Sequence, residues 1–163
     1  MTYILVTNDD GVYAPGIRAL HDAVHHLGKA LIVAPERDNS AVSHSLTMNR
    51  PLRVRQLEED IFTLDGTPTD CVTIGTNKVL PEKPSLLVSG INPGANLGDD
   101  ISYSGTVSAA IEGTMYGIPS LAFSLAGEPL LVDTGDEGIN EMLAGYIQVI
   151  TGFNEKLVCR VSY

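Results

Sequence analysis

The sequence has few cysteines, few basic residues and no long apolar run. Its two cysteines, Cys71 and Cys159, lie far apart in 163 residues, a spacing that excludes a disulfide-rich scaffold and fits a reducing, cytoplasmic setting. No apolar run approaches the ~18 residues of a membrane span, and no basic segment precedes an apolar stretch at the N-terminus. We therefore expect a cytoplasmic protein that is neither exported nor inserted into a membrane.

Acidic residues outnumber basic ones, with 20 Asp and Glu against 10 Lys and Arg and a net charge of −10. Such a field repels a phosphate backbone, which argues against long nucleic acids and anionic membranes as partners. A small anionic substrate stays compatible with this charge, because a metal ion or a ring of backbone N–H groups can reverse the potential locally. The length and the 44% hydrophobic content predict one domain over residues 1–163.

Short apolar runs that are rich in β-branched residues and bounded by turn residues predict buried parallel strands. There are four such runs, Tyr3–Thr7, Ala30–Ala34, Leu86–Ser89 and Ser120–Leu125. Between the second and third runs, Leu52–Arg55 and Ile61–Leu64 are typical of a hairpin or of edge strands.

Helical patterns separate these runs. The segment Ile17–Leu27 has the apolar spacing of one helical face, at Ile17, Leu20, Val24 and Leu27. Thr67 is a predicted N-cap with Pro68 at the first helical position and Asp70 near the capping-box position, which prefers Glu or Gln. Thr106–Tyr116 predicts a third helix. The order of elements predicts an α/β fold, with helices on the faces of a mostly parallel sheet.

The C-terminal part, residues 126–163, has weaker patterns. Glu137–Ala144 predicts a short helix and Tyr146–Ile150 a strand, and the last residues have no clear cap or period. Since only one helix and one strand are predicted after Leu125, we expect an apolar face or an unpaired sheet edge to stay exposed.

Ligands bind at the carboxyl ends of the strands in an open parallel sheet, and the first predicted strand is followed by Asn8-Asp9-Asp10-Gly11. Two adjacent carboxylates repel each other unless a cation or a proton lies between them, and a divalent cation with oxygen ligands is the usual solution. The alternative is an Asx-type turn with Gly11 at positive φ, which the same four residues favour about equally.

Two further polar segments follow predicted strands. Ala34–Ser40 is a polar loop that ends in a hydroxyl and by itself indicates only a loop. Residues 89–100 contain Asn92 and Asn96 among three glycines. Glycines allow the backbone to approach a ligand closely, and asparagine amide oxygens can complete an oxygen-rich metal site.

The third helix is preceded by Tyr103-Ser104-Gly105-Thr106, where free N–H groups and the helix dipole favour an anion. A plain serine N-cap is the alternative. Neither GxGxxG after the first strand nor GxxxxGK[ST] occurs, which argues against dinucleotide-binding and P-loop proteins.

The four histidines do not form a metal-binding pair. His44 lies shortly after Ser40, where it can donate a proton to a leaving group, and a structural role is about equally compatible. His21, His25 and His26 lie on the first predicted helix and are expected to face solvent.

Five motifs in this order resemble the stationary-phase survival protein SurE family. They are VTNDDG (6–11), VAPERDNSAVSHSLT (33–47), GTPTDCV (66–72), the segment from Val88 to Gly113, and GIPSLAFSL (117–125). The resemblance implies a Rossmann-like three-layer sandwich and a metal-dependent phosphomonoesterase that hydrolyses nucleoside 5′- and 3′-monophosphates to nucleoside and phosphate. It also implies oligomeric assembly, as a homodimer or homotetramer if the fold is complete.

The resemblance also implies roles for individual residues. One divalent cation per subunit, Mg²⁺ or Mn²⁺, would be held by Asp9, Asp10, Ser40 and Asn92. The phosphate would be bound by Asn96, Ser104, Gly105 and Thr106. We expect Asp9 or Asp10 to accept a proton from the attacking water, which gives a catalytic set of Asp9, Asp10 and His44.

The C-terminal part departs from the family pattern. Family members continue after the last matched strand through further strands and an extended arm, whereas here Ala144–Val149 already looks like a motif from near the family's C-terminus. We therefore expect a chain that lacks an internal segment or a shortened gene product, with consequences for oligomerisation, substrate closure and activity.

Two alternatives to an active phosphatase remain. One is an inactive, truncated remnant that keeps the metal-binding loop. The other is a signalling receiver module, which also places paired acids after its first strand. Asp65 is a candidate phosphoacceptor, but the lysine that a receiver needs follows neither Leu86–Ser89 nor Ser120–Leu125.

Overall fold

The computed structural model describes residues 2–125, 147–153 and 156–162, which form eight strands and four α-helices. The strands are β1 (Tyr3–Thr7), β2 (Lys29–Pro35), β3 (Val54–Glu58), β4 (Ile61–Leu64), β5 (Leu86–Asn92), β6 (Ser120–Leu125), β7 (Ile147–Phe153) and β8 (Lys156–Ser162). The helices are α1 (Pro15–Val24), α2 (Pro68–Ile74), α3 (Asp100–Tyr103) and α4 (Gly105–Met115). None of the helices in this described part is long and apolar enough to cross a membrane.

The strands form one sheet in the order β3-β4-β2-β1-β5-β6-β7-β8. Neighbours from β4 to β6 are parallel, and the outer pairs β3–β4, β6–β7 and β7–β8 are antiparallel. β1 lies between β2 and β5. The strands β2 to β4 lie on one side of β1, and β5 to β8 lie on the other. The carboxyl ends of β1 and β5 therefore form the switch point at which open α/β sheets bind ligands.

Helices cover both faces of the sheet, which confirms the predicted α/β fold with three layers. On one face, Ile17, Leu20 and Val24 of α1 pack with Ile4 and Val6 of β1. On the opposite face, residues of α2 and α4 pack against the alternate positions of the same strands, including Leu5, Leu31, Val33, Leu87, Cys71, Val72 and Ala109. A strand buried on both faces reads as a continuous apolar run, which explains why β1 was detectable from the sequence.

Several predicted elements were confirmed with small changes in their ends. β1 and β6 have the predicted bounds, while β2 is one residue longer at each end. β5 runs on to Asn92, so the prediction that this strand ends at Ser89 was wrong, and Asn92 is a strand residue. β6 was predicted to be buried on both faces, but its residues alternate between buried and partly exposed.

The first helix ends earlier than predicted. α1 stops at Val24, and His25–Leu27 form a 3₁₀ turn. Because this tighter turn rotates the following side chains off the apolar face, Leu27 is 55% exposed, and its predicted place on that face was wrong. His25 and His26 are exposed as predicted, whereas His21 is partly buried, with its ring 3.1 Å from the Asp22 carboxylate.

The start of α2 is the predicted capping box. The Thr67 hydroxyl accepts a hydrogen bond from the Asp70 N–H at 3.1 Å, and Asp70 Oδ2 accepts one from the Thr67 N–H at 2.9 Å. Aspartate thus fills the position that Glu or Gln usually takes. This cap fixes the end of α2 that lies at the carboxyl edge of the sheet.

The antiparallel additions lie at the two sides of the sheet. β3 and β4 form the predicted hairpin, with β4 next to β2 and β3 at the edge. β4 has the predicted bounds, but β3 covers Val54–Glu58 instead of the predicted Leu52–Arg55. At the other side, the predicted strand at Tyr146–Ile150 is found as β7, but the expectation of a single strand after Leu125 was wrong. β8 pairs with β7, so the edge of the sheet lies two strands beyond β6. The helix predicted at Glu137–Ala144 lies outside the described residues.

Candidate active site

A cavity of about 240 Å³ opens at the carboxyl edge of the sheet, at the switch point between β1 and β5. Five of the predicted site residues line it, namely Asp9, Ser40, Asn92, Asn96 and Ser104. Ala41, Asp100 and Tyr103 complete its wall. The structure thus brings together the ends of β1 and β5, the loop after β2 and the start of α4, four segments that are distant in sequence.

The turn after β1 is the Asx-type turn that was one of the two interpretations of Asn8-Asp9-Asp10-Gly11. Asn8 forms an Asx-type turn, since its Nδ2 donates to the Gly11 carbonyl at 2.9 Å and its Oδ1 accepts from the Gly11 N–H at 3.2 Å. Gly11 has φ +99°, a conformation that favours glycine. Because Asn8 supplies the side chain of this turn, the carboxyl groups of Asp9 and Asp10 are available for another role.

Asp9 is buried against the start of α4. Its carboxylate accepts a hydrogen bond from the Thr106 hydroxyl, and a Cβ atom on Gly105 would lie only 2.7 Å from the Asp9 Cβ. Glycine at position 105 therefore allows the helix backbone to approach the carboxylate closely. Burial raises the pKa of Asp9, and the hydrogen bond from Thr106 opposes that shift.

Asp10 is partly buried, and its Oδ2 is a buried oxygen with no hydrogen-bond partner. Burial, followed by repulsion from the carboxylates of Asp9 and Asp38, raises the pKa of Asp10 to about 6. An acceptor without a donor and two neighbouring negative charges together make a place that favours a cation.

Ser40 reaches the cavity from the loop that follows β2. The loop is tied to β1 by a hydrogen bond of 2.7 Å from the Asn39 N–H to the Asp9 carbonyl. Both the N–H and the hydroxyl of Ser40 donate to Asp38 Oδ1, at 2.7 and 2.5 Å. A hydroxyl whose proton is donated to a carboxylate presents its lone pairs to its other neighbours.

The two predicted asparagines come from β5 and from the loop after it. Asn92 Nδ2 donates to the Gly94 carbonyl at 2.5 Å, so Oδ1 is the atom of this amide that can serve as a cation ligand. Asn96 is buried, and its Nδ2 donates to the Ser124 hydroxyl of β6 at 2.7 Å. The Gly94 carbonyl thus holds the Asn92 amide, and the Ser124 hydroxyl holds the Asn96 amide.

The start of α4 meets the cavity through Ser104. The Ser104 hydroxyl accepts a hydrogen bond from the Val107 N–H at 3.2 Å, so its side chain is the plain N-cap that the sequence offered as an alternative. Gly105 and Thr106 follow as the first helical residues and contact Asp9 rather than line the cavity. Phosphate binding by this segment stays a prediction.

His44 does not line the cavity. Its Nε2 lies 2.7 Å from Oε2 of Glu112, a buried residue of α4 that also accepts a hydrogen bond from the Thr73 hydroxyl at 3.1 Å. A carboxylate can only accept, so the Nε2 atom of this ring is the donor. Proton donation by His44 to a leaving group stays a prediction.

The oxygen atoms at the cavity fit a hard divalent cation. On the cavity wall, Asp9 offers a carboxylate, Ser40 a hydroxyl and Asn92 an amide oxygen. Asp10 does not line the cavity, but it adjoins Asp9 in the chain, and its buried Oδ2 lacks a hydrogen-bond partner. Among the residues that the structure describes, no group of three or more His, Cys, Asp and Glu side chains is placed to hold a metal ion. A cation here would therefore depend on the two neutral ligands as well as on the carboxylates.

Four residues near the site were not predicted as members of it. Ala41, Asp100 and Tyr103 line the cavity, and Glu112 holds His44. Asp100 and Tyr103 lie just before the Ser104 cap, in the same stretch of sequence, so proximity to the cap was an available signal. Glu112 had none, because an acid inside a helical pattern is usually exposed.

Comparisons with known proteins identify the family of this chain. The family model "Survival protein SurE" matches residues 4–161. A "5'-nucleotidase SurE" from Pelobacter propionicus is 60% identical over 124 residues, which cover 76% of this chain and 50% of the relative. Another from Geotalea daltonii is 53% identical over 146 residues, which cover 90% of this chain and 56% of the relative.

A solved structure shows the same fold. The crystal structure of the SurE protein from Aquifex aeolicus is similar to this chain with a TM-score of 0.74 and 48% sequence identity, over 86% of this chain and 61% of that one. The chain spans about half the length of the curated relatives it matches. With a family model matched along nearly its whole length and relatives more than half identical to it, this chain belongs to the survival protein SurE family.

Proposed function

We propose that this chain is a metal-dependent phosphomonoesterase that hydrolyses nucleoside 5′- and 3′-monophosphates to nucleoside and phosphate. One observation carries the proposal: Asp9 lines a cavity large enough for a phosphate and part of a nucleoside and lies against the first residues of α4, and the next residue, Asp10, has a buried Oδ2 without a hydrogen-bond partner. The relatives named 5'-nucleotidase SurE support the same reaction. The proposal covers a single domain over 1–163 in a cytoplasmic homodimer or homotetramer.

The residues suited to hold a divalent cation, one Mg²⁺ or Mn²⁺ per subunit, are Asp9, Asp10, Ser40 and Asn92. When bound, such an ion supplies positive charge that polarises the phosphoryl group and makes water more acidic. Asp9 is kept in place by the Thr106 hydroxyl. Asp9 or Asp10 would accept the proton of the attacking water.

The start of α4 would bind the phosphate. Backbone N–H groups in the first turn of a helix have no partner within the helix, and the dipole makes this end positive. Gly105 and Thr106 are the first residues of α4, although the Thr106 N–H also donates to the Asp9 carboxylate, and Ser104 and Asn96 lie on the cavity wall. These donors would hold the phosphoryl oxygens as charge develops on them, so no covalent intermediate is required.

The receiver alternative is disfavoured by the position of Asp65. This residue follows β4, which is separated from β1 by β2. Its carboxylate lies 3.0 Å from the Arg50 guanidinium and accepts a hydrogen bond of 2.7 Å from the Arg53 N–H. A phosphoacceptor has to lie beside the paired acids, whereas Asp65 lies at the end of a strand two positions away from β1 and is held by Arg50 and Arg53.

Phosphate release from AMP with and without Mn²⁺ tests the proposal. We expect Mn²⁺-dependent turnover that Asp9→Asn abolishes, because this change removes an anionic ligand. Asp22→Asn is the matched control, since it removes an exposed carboxylate on α1 and is expected to keep wild-type turnover.

The same measurement separates the alternatives. Mn²⁺ binding without turnover by the wild-type chain would favour the inactive remnant, and labelling by acetyl phosphate would favour a receiver. Wild-type turnover in both Asp9→Asn and Asp10→Asn would contradict the assignment of the cation site.

A further inference from the structure

The loop that brings Ser40 to the cavity is attached to the two helices of one sheet face through buried carboxylates. We define the Ser40 loop as residues 39–47. Glu112 of α4 is 6% exposed, and its two oxygens contact His44 of the loop at 2.7 Å and Thr73 of α2 at 3.1 Å. One buried carboxylate therefore joins α2, α4 and the Ser40 loop.

Asp70 of α2 holds the far end of the loop. It is 2% exposed and accepts hydrogen bonds from the N–H and the hydroxyl of Thr47, at 2.9 and 2.7 Å. The Thr67 hydroxyl also donates to the Ser45 carbonyl at 2.7 Å. The capping box of α2 thus serves as an anchor for the loop as well as for the helix.

The backbone between these anchors has a conformation that needs support. Ala41 and Ser43 have φ of 58° and 57°, in the left-handed region that residues with a Cβ rarely adopt. Such conformations persist only where the surroundings hold them. His44 directly follows Ser43 and Ser40 directly precedes Ala41. The contact of His44 with Glu112 therefore supports the backbone next to Ser40, whose hydroxyl donates to Asp38 Oδ1.

We propose that Glu112, acting through His44, is a positioning residue that sets the Ser40 hydroxyl at the cation site. This rests on the proposed function only in taking Ser40 as a ligand. A carboxylate buried to this degree is costly unless it is hydrogen-bonded, and the partners of Glu112 are the loop histidine and a threonine of α2. Neither Glu112 nor His44 lines the cavity, so their effect is indirect.

Mn²⁺ binding to the intact chain, followed through the electron paramagnetic resonance signal of free Mn²⁺, gives a readout that does not depend on turnover. We expect His44→Ala and Glu112→Ala each to raise the Kd for Mn²⁺ about tenfold, the scale found when groups that orient metal ligands are removed. The double variant should bind no worse than either single variant, since both single variants remove the same contact, that between His44 and Glu112.

Two further variants separate positioning from other effects. Glu112→Gln keeps an oxygen that accepts the hydrogen bond from His44, so it should recover most of the Mn²⁺ affinity that Glu112→Ala loses. His26→Ala removes an exposed histidine of the 3₁₀ turn after α1, outside the Ser40 loop. This variant should bind Mn²⁺ as the wild type does. His44 is partly exposed on a loop, so its variant tests the idea even if Glu112→Ala does not fold.

Unchanged Mn²⁺ affinity in His44→Ala would overturn the inference, and a fall in kcat at unchanged affinity would assign His44 to proton donation instead. Additive losses in the double variant would also overturn it. If the wild-type chain binds no Mn²⁺, the proposed function and this inference both fail. If the wild type binds Mn²⁺ through Asp9 but the His44 and Glu112 variants bind equally well, only this inference fails.

Discussion

Replacing Asp10 by asparagine should stabilise the metal-free chain while removing its response to Mn²⁺. Asp10 carries a raised pKa of about 6 because it is partly buried and lies near Asp9 and Asp38. The ionised carboxylate is therefore less favourable in the folded chain than in the unfolded chain. Asparagine keeps the shape and removes the charge, so this unfavourable contribution disappears.

The size of the effect follows from the pKa shift. A shift from 3.8 to about 6 corresponds to about 3 kcal/mol at most, at roughly 1.4 kcal/mol for each unit. Solvent screening at a partly exposed group reduces this, so we expect Asp10→Asn to raise the free energy of unfolding by about 1–3 kcal/mol at pH 7.5. In a chain of this size, each kcal/mol corresponds to roughly 2–4 °C in Tm.

The sign of the pH dependence is fixed by the direction of the shift. The folded chain binds the Asp10 proton more tightly than the unfolded chain does, because its pKa is higher when folded. Asp10 therefore makes the wild type less stable as the pH rises from about 4 to about 6, and has a constant effect above that range. The advantage of Asp10→Asn should shrink by more than half between pH 7.5 and pH 4.5.

Urea unfolding with EDTA at these two pH values measures the effect, with Asp22→Asn as a control for the loss of an exposed carboxylate. Repeating the pH 7.5 series with Mn²⁺ in place of EDTA should stabilise the wild type and leave Asp10→Asn nearly unchanged. The reasoning is refuted if Asp10→Asn is destabilised at pH 7.5. It is also refuted if the gain is the same at both pH values, since better packing rather than charge would then be the cause.

Three other substitutions test the surroundings of Asp9 and the cap of α2. Thr106→Val removes the hydroxyl that donates to Asp9. In steady-state kinetics it should lower kcat/KM by about one to two decades, roughly 1.5–3 kcal/mol. Thr114→Val is the control, because the Thr114 hydroxyl donates to the Ala110 carbonyl of its own helix. Gly105→Ala places a Cβ 2.7 Å from the Asp9 Cβ and should lower both Tm and Mn²⁺ affinity, measured by thermal unfolding and titration. Thr67→Ala removes the N-cap of α2 and should cost about 1 kcal/mol in urea unfolding, and an unchanged midpoint would contradict the role of the capping box.

The sequence allowed the central sheet and much of the site to be predicted, because both depend on local patterns. Strands buried on both faces, such as β1, produce uninterrupted apolar runs that need no knowledge of their neighbours. The rule that ligands bind at the carboxyl ends of such strands pointed to the segments that carry Asp9, Ser40 and Asn92, and the family resemblance then selected these residues as cation ligands. The structure places all three on one cavity.

The contacts that could not be predicted join residues far apart in the chain. His44 and Glu112 are separated by 68 positions, and no periodicity connects a loop histidine with one acid of a helix. β8 was missed for a similar reason, since an antiparallel strand at the side of a sheet is specified by its partner strand as much as by its own residues. The register of β5 decided that Asn92 belongs to a strand, which composition alone did not show.

The number of donors that each carboxylate receives distinguishes Asp70 and Glu112, which hold the fold, from Asp10, which is suited to a ligand. Asp70 accepts three hydrogen bonds and Glu112 is engaged at both oxygens, so each is satisfied by the protein itself. Asp9 accepts hydrogen bonds from the hydroxyl and the backbone of Thr106, whereas Asp10 Oδ2 accepts none. In the sequence, the segment TPTD around Asp70 and the segment NDDG around Asp10 look alike. Only NDDG leaves a buried carboxylate oxygen without a donor, and a cation bound there would offset the free-energy cost of burying it.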